Sequence, residues 1–448
     1  VSWTLGPRLV VAGTASGVGK TTVATGLMAA LSARGLQVGA AKVGPDFIDP
    51  GYHGLATGRP SRNLDPWMSG AEVVPAVAAR AADGADLLVV EGVMGLFDGA
   101  DDGTPSSTAT VAGLLDAPIL LVVDAGATSQ SIAAVVHGFH TLDPAVQVSG
   151  VVLNQVGSDA HEDGLRRALA PLGIPVLGAL RRDDRLRWRD RHLGLVPVAE
   201  EPDEVRGALG LLAATVAERC DLDAVERLAR SAPPLPVPPL AEPTPVGSVR
   251  VAVAAGRAFT FSYPDDLDAL ATAGAELVPF DPMVDEALPE RCAALVAGGG
   301  FPEVHAERLA GNEALLADVR FRHARGLVIW AECGGLLWLA EQLDGHPMAG
   351  VVPTVGRMGA GLTLGYRSGQ TTVDSPLGPA GTSLRGHEFH HSATEPAGTA
   401  LQLTGRNGPV VTGFADEQVL ASYLHLPLVG RPDLAEAFVR RAAQAGAV

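Results

Sequence analysis

Cysteine is scarce. Only Cys220, Cys292 and Cys333 occur in 448 residues, and no two stand in C-x-x-C spacing. That excludes a disulfide framework and a cysteine-built zinc site, and makes a reducing cytoplasm the expected setting. Positive charge is also short: 33 Lys and Arg face 50 Asp and Glu, a formal net charge of −17. A nonspecific nucleic-acid binder needs a cationic face, so no nucleic-acid partner is expected. No uninterrupted apolar run is long enough to cross a bilayer, so no membrane is expected either. A strand pattern starts by residue 8, which leaves no room for a signal peptide. Aromatics make up only 4%. Ala, Gly, Val and Leu dominate, a mix that suits buried parallel strands in α/β layers.

What is present is organisation. A chain of this length is too long for one ordinary core, so two domains are expected. Strand patterns fall at 8–12, 38–43, 86–91, 118–124, 147–154 and 176–180, with helical patterns at 20–34 and 71–82 and further helical stretches between. Such alternation predicts a parallel sheet with helices on both faces and ligands at the C-terminal strand ends. The Pro-rich stretch from Ala232 to Pro245 reads as a linker, because its prolines remove donors and favour extended geometry. A fresh α/β pattern follows, with strands at 250–254, 276–280, 293–297 and 326–331. The expected division is 1–231, a linker at 232–247, and 248–448.

The first strand leads into Gly13-Thr14-Ala15-Ser16-Gly17-Val18-Gly19-Lys20-Thr21-Thr22. Strand, glycine loop and helix start are the setting of a phosphate-gripping loop. Its amides turn inward around phosphate oxygens and the helix dipole assists. Lys20 is expected to reach the β- and γ-phosphates of ATP and Thr21 to ligate Mg²⁺. Thr14 stands where the strict pattern has glycine, while Gly13 and Gly17 fit the variant of dethiobiotin synthetase-like enzymes. Asp46 follows the second strand and Glu91 ends the third, so both belong at the ligand edge. With Thr21 they form the expected Mg²⁺ set, since this ion prefers oxygen. Asp49 and Asp98 are weaker candidates, equally readable as loop acids. Lys42 is a candidate for neutralising phosphate or substrate charge, and Asn154 for reading adenine. The basic island from Arg181 to His192 reads either as a collar for a polyanionic substrate or as a surface loop of internal Arg–Asp pairs.

The C-terminal half carries a thiol motif. Leu327-Val328-Ile329-Trp330 leads into Ala331-Glu332-Cys333-Gly334-Gly335. A nucleophile elbow needs small residues two before and two after the nucleophile, here Ala331 and Gly335. Gly298-Gly299-Gly300 ends an earlier strand and is a candidate oxyanion hole. His425, after a short apolar strand, is the candidate base for Cys333. Cys220 and Cys292 lack such surroundings and read as packing residues. His387-Glu388-Phe389-His390-His391 satisfies H-E-x-x-H, but nearby Gly381, Gly386 and Pro396 argue against the helix that a zinc site requires. A strand or loop lending polar groups to the domain interface is expected instead.

Several longer motifs carry a resemblance: Lys42-Val43-Gly44-Pro45-Asp46-Phe47-Ile48-Asp49-Pro50-Gly51-Tyr52-His53, Asn63-Leu64-Asp65, Glu91-Gly92-Val93-Met94-Gly95-Leu96-Phe97-Asp98-Gly99, Arg191-His192-Leu193-Gly194-Leu195 and Arg385-Gly386-His387-Glu388-Phe389-His390. In this order, over nearly the whole chain, they resemble the cobyrinic or hydrogenobyrinic acid a,c-diamide synthases of cobalamin biosynthesis. The resemblance implies an α/β protein with a P-loop dethiobiotin synthetase-like parallel-sheet domain and a class I glutamine amidotransferase-like domain. It implies ATP- and glutamine-dependent amidation of the a and c acetates of a corrinoid through an acyl phosphate, with ammonia passing between the domains. Cys333 and His425 would be nucleophile and base; Asp46, Asp49, Glu91 and Asp98 would organise metal and substrate. Many amidotransferases carry a glutamate two residues after the histidine; Pro427 stands there, so a dyad is expected. Competing readings are a cobyric acid synthase-like enzyme, a nickel-sirohydrochlorin amidase, and a non-enzymatic P-loop switch with a degenerate amidotransferase module. The resemblance leaves a homodimer open, and leaves open whether the ring holds cobalt.

Overall fold

The computed structural model describes residues 3–446 except 101, 187–189, 192–193, 196–197 and 199–201. The chain divides into two compact units between Leu240 and Ala241, inside the Pro-rich stretch. That stretch is not purely a linker: Leu235–Val237 pairs antiparallel with Trp3–Leu5 and belongs to the first unit.

Among the described residues, the first unit is built on seven parallel strands. They are β1 (Arg8–Gly13), β2 (Val38–Val43), β3 (Arg62–Leu64), β4 (Leu87–Glu91), β5 (Ile119–Asp124), β6 (Val148–Val156) and β7 (Val176–Arg181), in the spatial order β3-β2-β4-β1-β5-β6-β7. The central strands are buried and apolar apart from Arg8, Glu91 and Asp124 at their ends, because helices cover both faces. Helix α1 (Lys20–Ala33) starts at the left-handed Gly19 and buries Val23, Ala24, Leu27, Met28 and Leu31. These pack with Leu9, Val11, Val89 and Val122 of the sheet and with Leu212 and Val216 of the helix Pro202–Arg219. Gly26 sits at that helix crossing; a β-carbon there would meet Val216 at 2.6 Å. Helix α2 (Asp49–Thr57) opens with Pro50 in its first turn, where a missing N–H costs nothing, and stops at the left-handed Gly58. The order reverses around β1, so the β1–α1 loop and the ends of β2 and β4 share one edge.

Among the described residues, the main sheet of the second unit has β8 (Val249–Ala254), β9 (Ala275–Phe280), β10 (Cys292–Ala297), β11 (Val328–Glu332), β14 (Phe414–Ala415) and β15 (Val419–Ser422), ordered β9-β8-β10-β11-β15-β14. All neighbours are parallel except the β14–β15 pair. Helix α3 (Pro264–Ala273) follows β8, and α4 (Gly334–Leu339) follows β11. A second sheet is built around two long antiparallel strands, β12 (Val355–Thr371) and β13 (Ser383–Glu395). The H-E-x-x-H match lies on β13. In a strand, His387 and His391 are about four rises of 3.3 Å apart, too far to share one ion. No cluster of three His, Cys, Asp or Glu able to hold a metal occurs among the described residues. None of their helices is long and apolar enough to cross a membrane.

Candidate active sites

In the first unit the glycine loop has the predicted form. Gly17 and Gly19 take φ of 77° and 95°, values that favour glycine. Gly13 closes β1, where a β-carbon would press on Val18 and Lys20 at under 3 Å. Lys20 folds back so that Nζ donates to the Ala15 carbonyl at 2.9 Å. Burial, then the neighbouring Lys42, lowers its pKa to about 8. Thr21 and Thr22 lie in the first turn of α1.

Three charged side chains gather beside Thr21. Thr21 Oγ1 lies 2.6 Å from Glu91 Oε1 and 3.3 Å from Asp49 Oδ2. Lys42 Nζ donates to the same two oxygens, at 2.9 Å and 2.6 Å, and to the Gly92 carbonyl at 3.2 Å. Lys42 is therefore a buried ion-pair centre, not a solvated strand-end lysine. Burial works to lower its pKa, but Asp49 and Glu91 outweigh that and hold it above the ordinary range. Glu91 is fully buried, which works against its charge. Lys42 and His53 overcome that and hold it below the usual carboxylate range. Asp49 goes the other way, to about 8, pushed by burial and then by Asp46.

The structure redistributes the acids. Asp49, not Asp46, joins Thr21 and Glu91. Asp46 Oδ1 instead accepts the Ile48 and Asp49 amides at 2.8 and 3.0 Å and shapes the turn that delivers Asp49. Asp98 is exposed; its Oδ2 accepts the Gly95 amide at 2.8 Å, and its charge reaches Lys20. The amide of Asn154, the candidate for reading adenine, donates to the Val18 carbonyl at 2.9 Å and braces the loop. A β-carbon on Gly19 would overlap that amide. A cavity of about 590 Å³ opens beside the loop instead, lined by Gly17, Asp124, Thr128, Gln155, Arg182 and Asp183 among others. The reading of the residues gave His53 no role. It is fully buried, with Nε2 2.6 Å from Glu91 Oε2 and Nδ1 3.2 Å from Ser61 Oγ. Its place four residues after Asp49, on the same helix face, was the available signal.

In the described part of the basic island one pair is internal and one reaches outside it. Arg181 meets Asp159 and Glu162, and Arg185 meets Asp183 at 2.7 Å. Arg187, Trp188, Arg189, His192 and Leu193 lie outside the described residues, and with them part of the Arg191–Leu195 motif.

In the second unit Cys333 sits between β11 and α4 at φ 47°, a strained left-handed backbone for a residue other than glycine. Its amide donates to the Ser422 carbonyl at 2.7 Å. Gly335 is packed so closely that a β-carbon would overlap the Ala297 carbonyl, which is why the elbow needs a glycine there. Burial, then Glu303, pushes the Cys333 thiol up to about 12. The resting sulfur is thus a thiol in need of a base. His425 follows β15, the strand next to β11, and is buried. Burial lowers its pKa to about 4, against the pull of Glu388. The elbow and the imidazole flank one glycine loop. A β-carbon on Gly299 would meet His425 Cε1 at 2.6 Å, and one on Gly334 would meet the Gly300 nitrogen at 3.0 Å. The Gly299 amide is committed to the Phe261 carbonyl at 3.0 Å, which removes it from the candidate oxyanion donors of this loop and leaves Gly298 and Gly300.

The expected dyad is incomplete. His425 Nδ1 lies 3.3 Å from Glu332 Oε2, a carboxylate from the residue just before the nucleophile. Cys220 and Cys292 are buried with raised pKa values, as packing thiols are.

Comparison with known proteins agrees with this arrangement in both units. A family described as the CobQ/CobB/MinD/ParA nucleotide binding domain matches residues 9–196. A second, the CobB/CobQ-like glutamine amidotransferase domain, matches residues 250–432. Over 97% of both chains, the sequence is 50% identical to a hydrogenobyrinate a,c-diamide synthase of Streptomyces coelicolor. It is 46% identical, over 96% of both, to the enzyme of that name from Thermobifida fusca. A cobyrinate a,c-diamide synthase of Syntrophotalea carbinolica is 45% identical over 97% of this chain and 98% of its own. With a nucleotide-binding unit and a glutamine amidotransferase unit in one polypeptide, and relatives this close along its full length, the chain belongs to the hydrogenobyrinate and cobyrinate a,c-diamide synthase family, carbon–nitrogen ligases that take nitrogen from glutamine.

Proposed function

We propose that this protein converts the a and c acetate side chains of hydrogenobyrinate or cobyrinate to amides, using ATP and glutamine, in the cytoplasm. The observation that carries the reading is the strained Cys333 elbow beside His425, in a chain that also holds the loop of Lys20 and Thr21 against Glu91. The two nearer relatives named above take the metal-free ring by name, so hydrogenobyrinate is the first substrate to supply.

Cys333 attacks the glutamine carboxamide carbon, and His425 takes the thiol proton and returns it to the departing ammonia. The amide of Gly298 or Gly300 donates to the developing oxyanion. Water then cleaves the thioester and frees glutamate. In the first unit, the loop amides and Lys20 grip the triphosphate. An acetate oxygen of the ring attacks the γ-phosphorus, ADP leaves, and the resulting acyl phosphate has a good leaving group. Ammonia attacks its carbonyl carbon and phosphate departs. Lys42 compensates Asp49 and Glu91 and adds positive charge next to the phosphates.

The oxygens of Thr21, Glu91 and Asp49 suit Mg²⁺, which binds through one or two carboxylates together with substrate phosphates and water. Bound there, the ion would neutralise charge on the β- and γ-phosphate oxygens. His53 holds the second oxygen of Glu91 and so fixes which one faces Thr21.

The test is to supply the purified protein with MgATP and glutamine and compare hydrogenobyrinic with cobyrinic acid by mass. Two amidations per ring are expected on at least one of them. Glutamine hydrolysis with no amidation of either ring refutes the assignment.

A further inference from the structure

Pro427 occupies the place two residues past His425 where an acid would usually stand. The carboxylate that reaches the imidazole arrives from the other side. Glu332 ends β11, and its register partner on β15 is Ser422. Three residues on, His425 offers Nδ1 to Glu332 Oε2 at 3.3 Å. The other carboxylate oxygen, Oε1, accepts the Leu426 amide at 2.9 Å. Both side chains are buried, 1% and 9% exposed. The segment carrying the imidazole is pinned along its length. His425 exchanges backbone hydrogen bonds with His387 at 2.9 and 3.1 Å, and the Leu428 amide donates to Asp266 at 2.6 Å. Between the two carboxylate-bound amides, Pro427 has no N–H to leave unsatisfied.

We propose that Glu332 is the positioning acid of the glutaminase centre, holding His425 as the Nδ1–H tautomer so that the Nε2 lone pair takes the Cys333 proton. The inference rests on the reading of Cys333 and His425 as nucleophile and base. A backbone N–H can only donate, so the Leu426 amide commits Oε1 as an acceptor. Oε2 then meets the ring; burial raises the Glu332 pKa to about 8, and above that pH the carboxylate is ionised and only accepts. Nδ1 must donate to it, which leaves the lone pair on Nε2. When the thiol proton arrives, the ring becomes an imidazolium whose charge Glu332 balances. Other titratable groups face this pair. Glu388, His387 and His390 act on His425 from β13, and Asp266 acts on Glu332 from α3.

Glu332→Gln tests the proposal with almost no change of shape. The Leu426 N–H still needs an acceptor, so the glutamine oxygen must take it and its NH₂ must face Nδ1. That forces the proton onto Nε2, the wrong tautomer for a base. In the full chain at pH 9, where Glu332 is ionised, supplied with MgATP, ring substrate and glutamine, kcat for glutamate release should fall about 10²- to 10⁴-fold, with KM for glutamine within about threefold. Nitrogen-15 NMR of His425 should move from the Nδ1–H to the Nε2–H pattern. Glu332→Asp, which keeps the charge, should recover activity above the Gln variant. A loss of less than about tenfold in kcat, an unchanged tautomer, or an Asp variant no faster than the Gln variant overturns the proposal. Cys333→Ala run in parallel separates the two layers. If it still releases glutamate, the nucleophile assignment fails. If it is inactive while Glu332→Gln is intact, only the role of Glu332 fails.

Discussion

Replacing Lys42 by methionine keeps the buried stem and removes one ammonium. Three contacts go with it: Asp49 at 2.6 Å, Glu91 at 2.9 Å and the Gly92 carbonyl at 3.2 Å. All three charged side chains are at most 11% exposed, so water does not replace the lost partner. Removing one member of such a buried pair costs about 3–5 kcal/mol. Two features move the value to the low end. Asp49, already pushed to about 8, takes up a proton near neutral pH at little cost. Glu91 keeps His53 and Thr21, both at 2.6 Å. The expected loss is about 3 kcal/mol, borne by a unit whose size class shifts roughly 2–4 °C per kcal/mol, so its Tm should fall by roughly 6–12 °C. Calorimetry of the full chain without nucleotide measures this. Adding Asp49→Asn should restore part of the loss, because it removes the carboxylate left unpaired. A shift below about 2 °C for Lys42→Met would mean that the ammonium compensates neither acid, and the ion-pair account would be wrong.

Cys333→Ala should abolish glutamine-dependent amidation while ammonium salts still support the ligase reaction, as followed by ring mass; loss of both would contradict the division of labour between the units. Asn154→Ala should weaken ATP and GTP binding by the same factor, because the side chain braces the loop instead of reading a base; a selective loss of ATP, seen by calorimetric titration, would restore the adenine reading. Burial raises the Glu332 pKa to about 8, so the folded state holds this proton where the unfolded chain has lost it. The associated stability is complete below about pH 4.5 and is lost as pH rises through about 8, at up to about 1.4 kcal/mol per unit. Glu332→Gln has no such proton to lose, so its Tm relative to the parent should climb from pH 5 to pH 9; a constant difference would refute the raised pKa.

Strand positions were legible in the sequence because buried parallel strands are apolar runs ending in chemistry-bearing residues, as Glu91 and Cys333 are. The glycine loop and the elbow were legible because each demands small residues at fixed spacing. Which acid meets Thr21 was not. Asp46 and Asp49 are three residues apart, and the choice is made by two backbone amides that turn one carboxylate into a cap and aim the other at the site. His53 and Asn154 depend on tertiary partners 38 and 136 residues away. Glu332 lies within the elbow motif, but its contact with His425 spans 93 residues and exists only because β11 and β15 are neighbours. The expected dyad followed from looking for an acid on the histidine's own segment.

Glu332 and Cys333 are consecutive, so a single peptide bond fixes acid relative to sulfur. Only the imidazole is brought in by a separate strand. Loosening that draws the imidazole away from the other two must part the last residues of β11 and β15, and with them the backbone exchange with His387 and the Leu428–Asp266 bond. Glutamine cleavage should fade with that spacing while the acid and the thiol keep their mutual geometry, and the strand pairing itself becomes the clamp on the reaction.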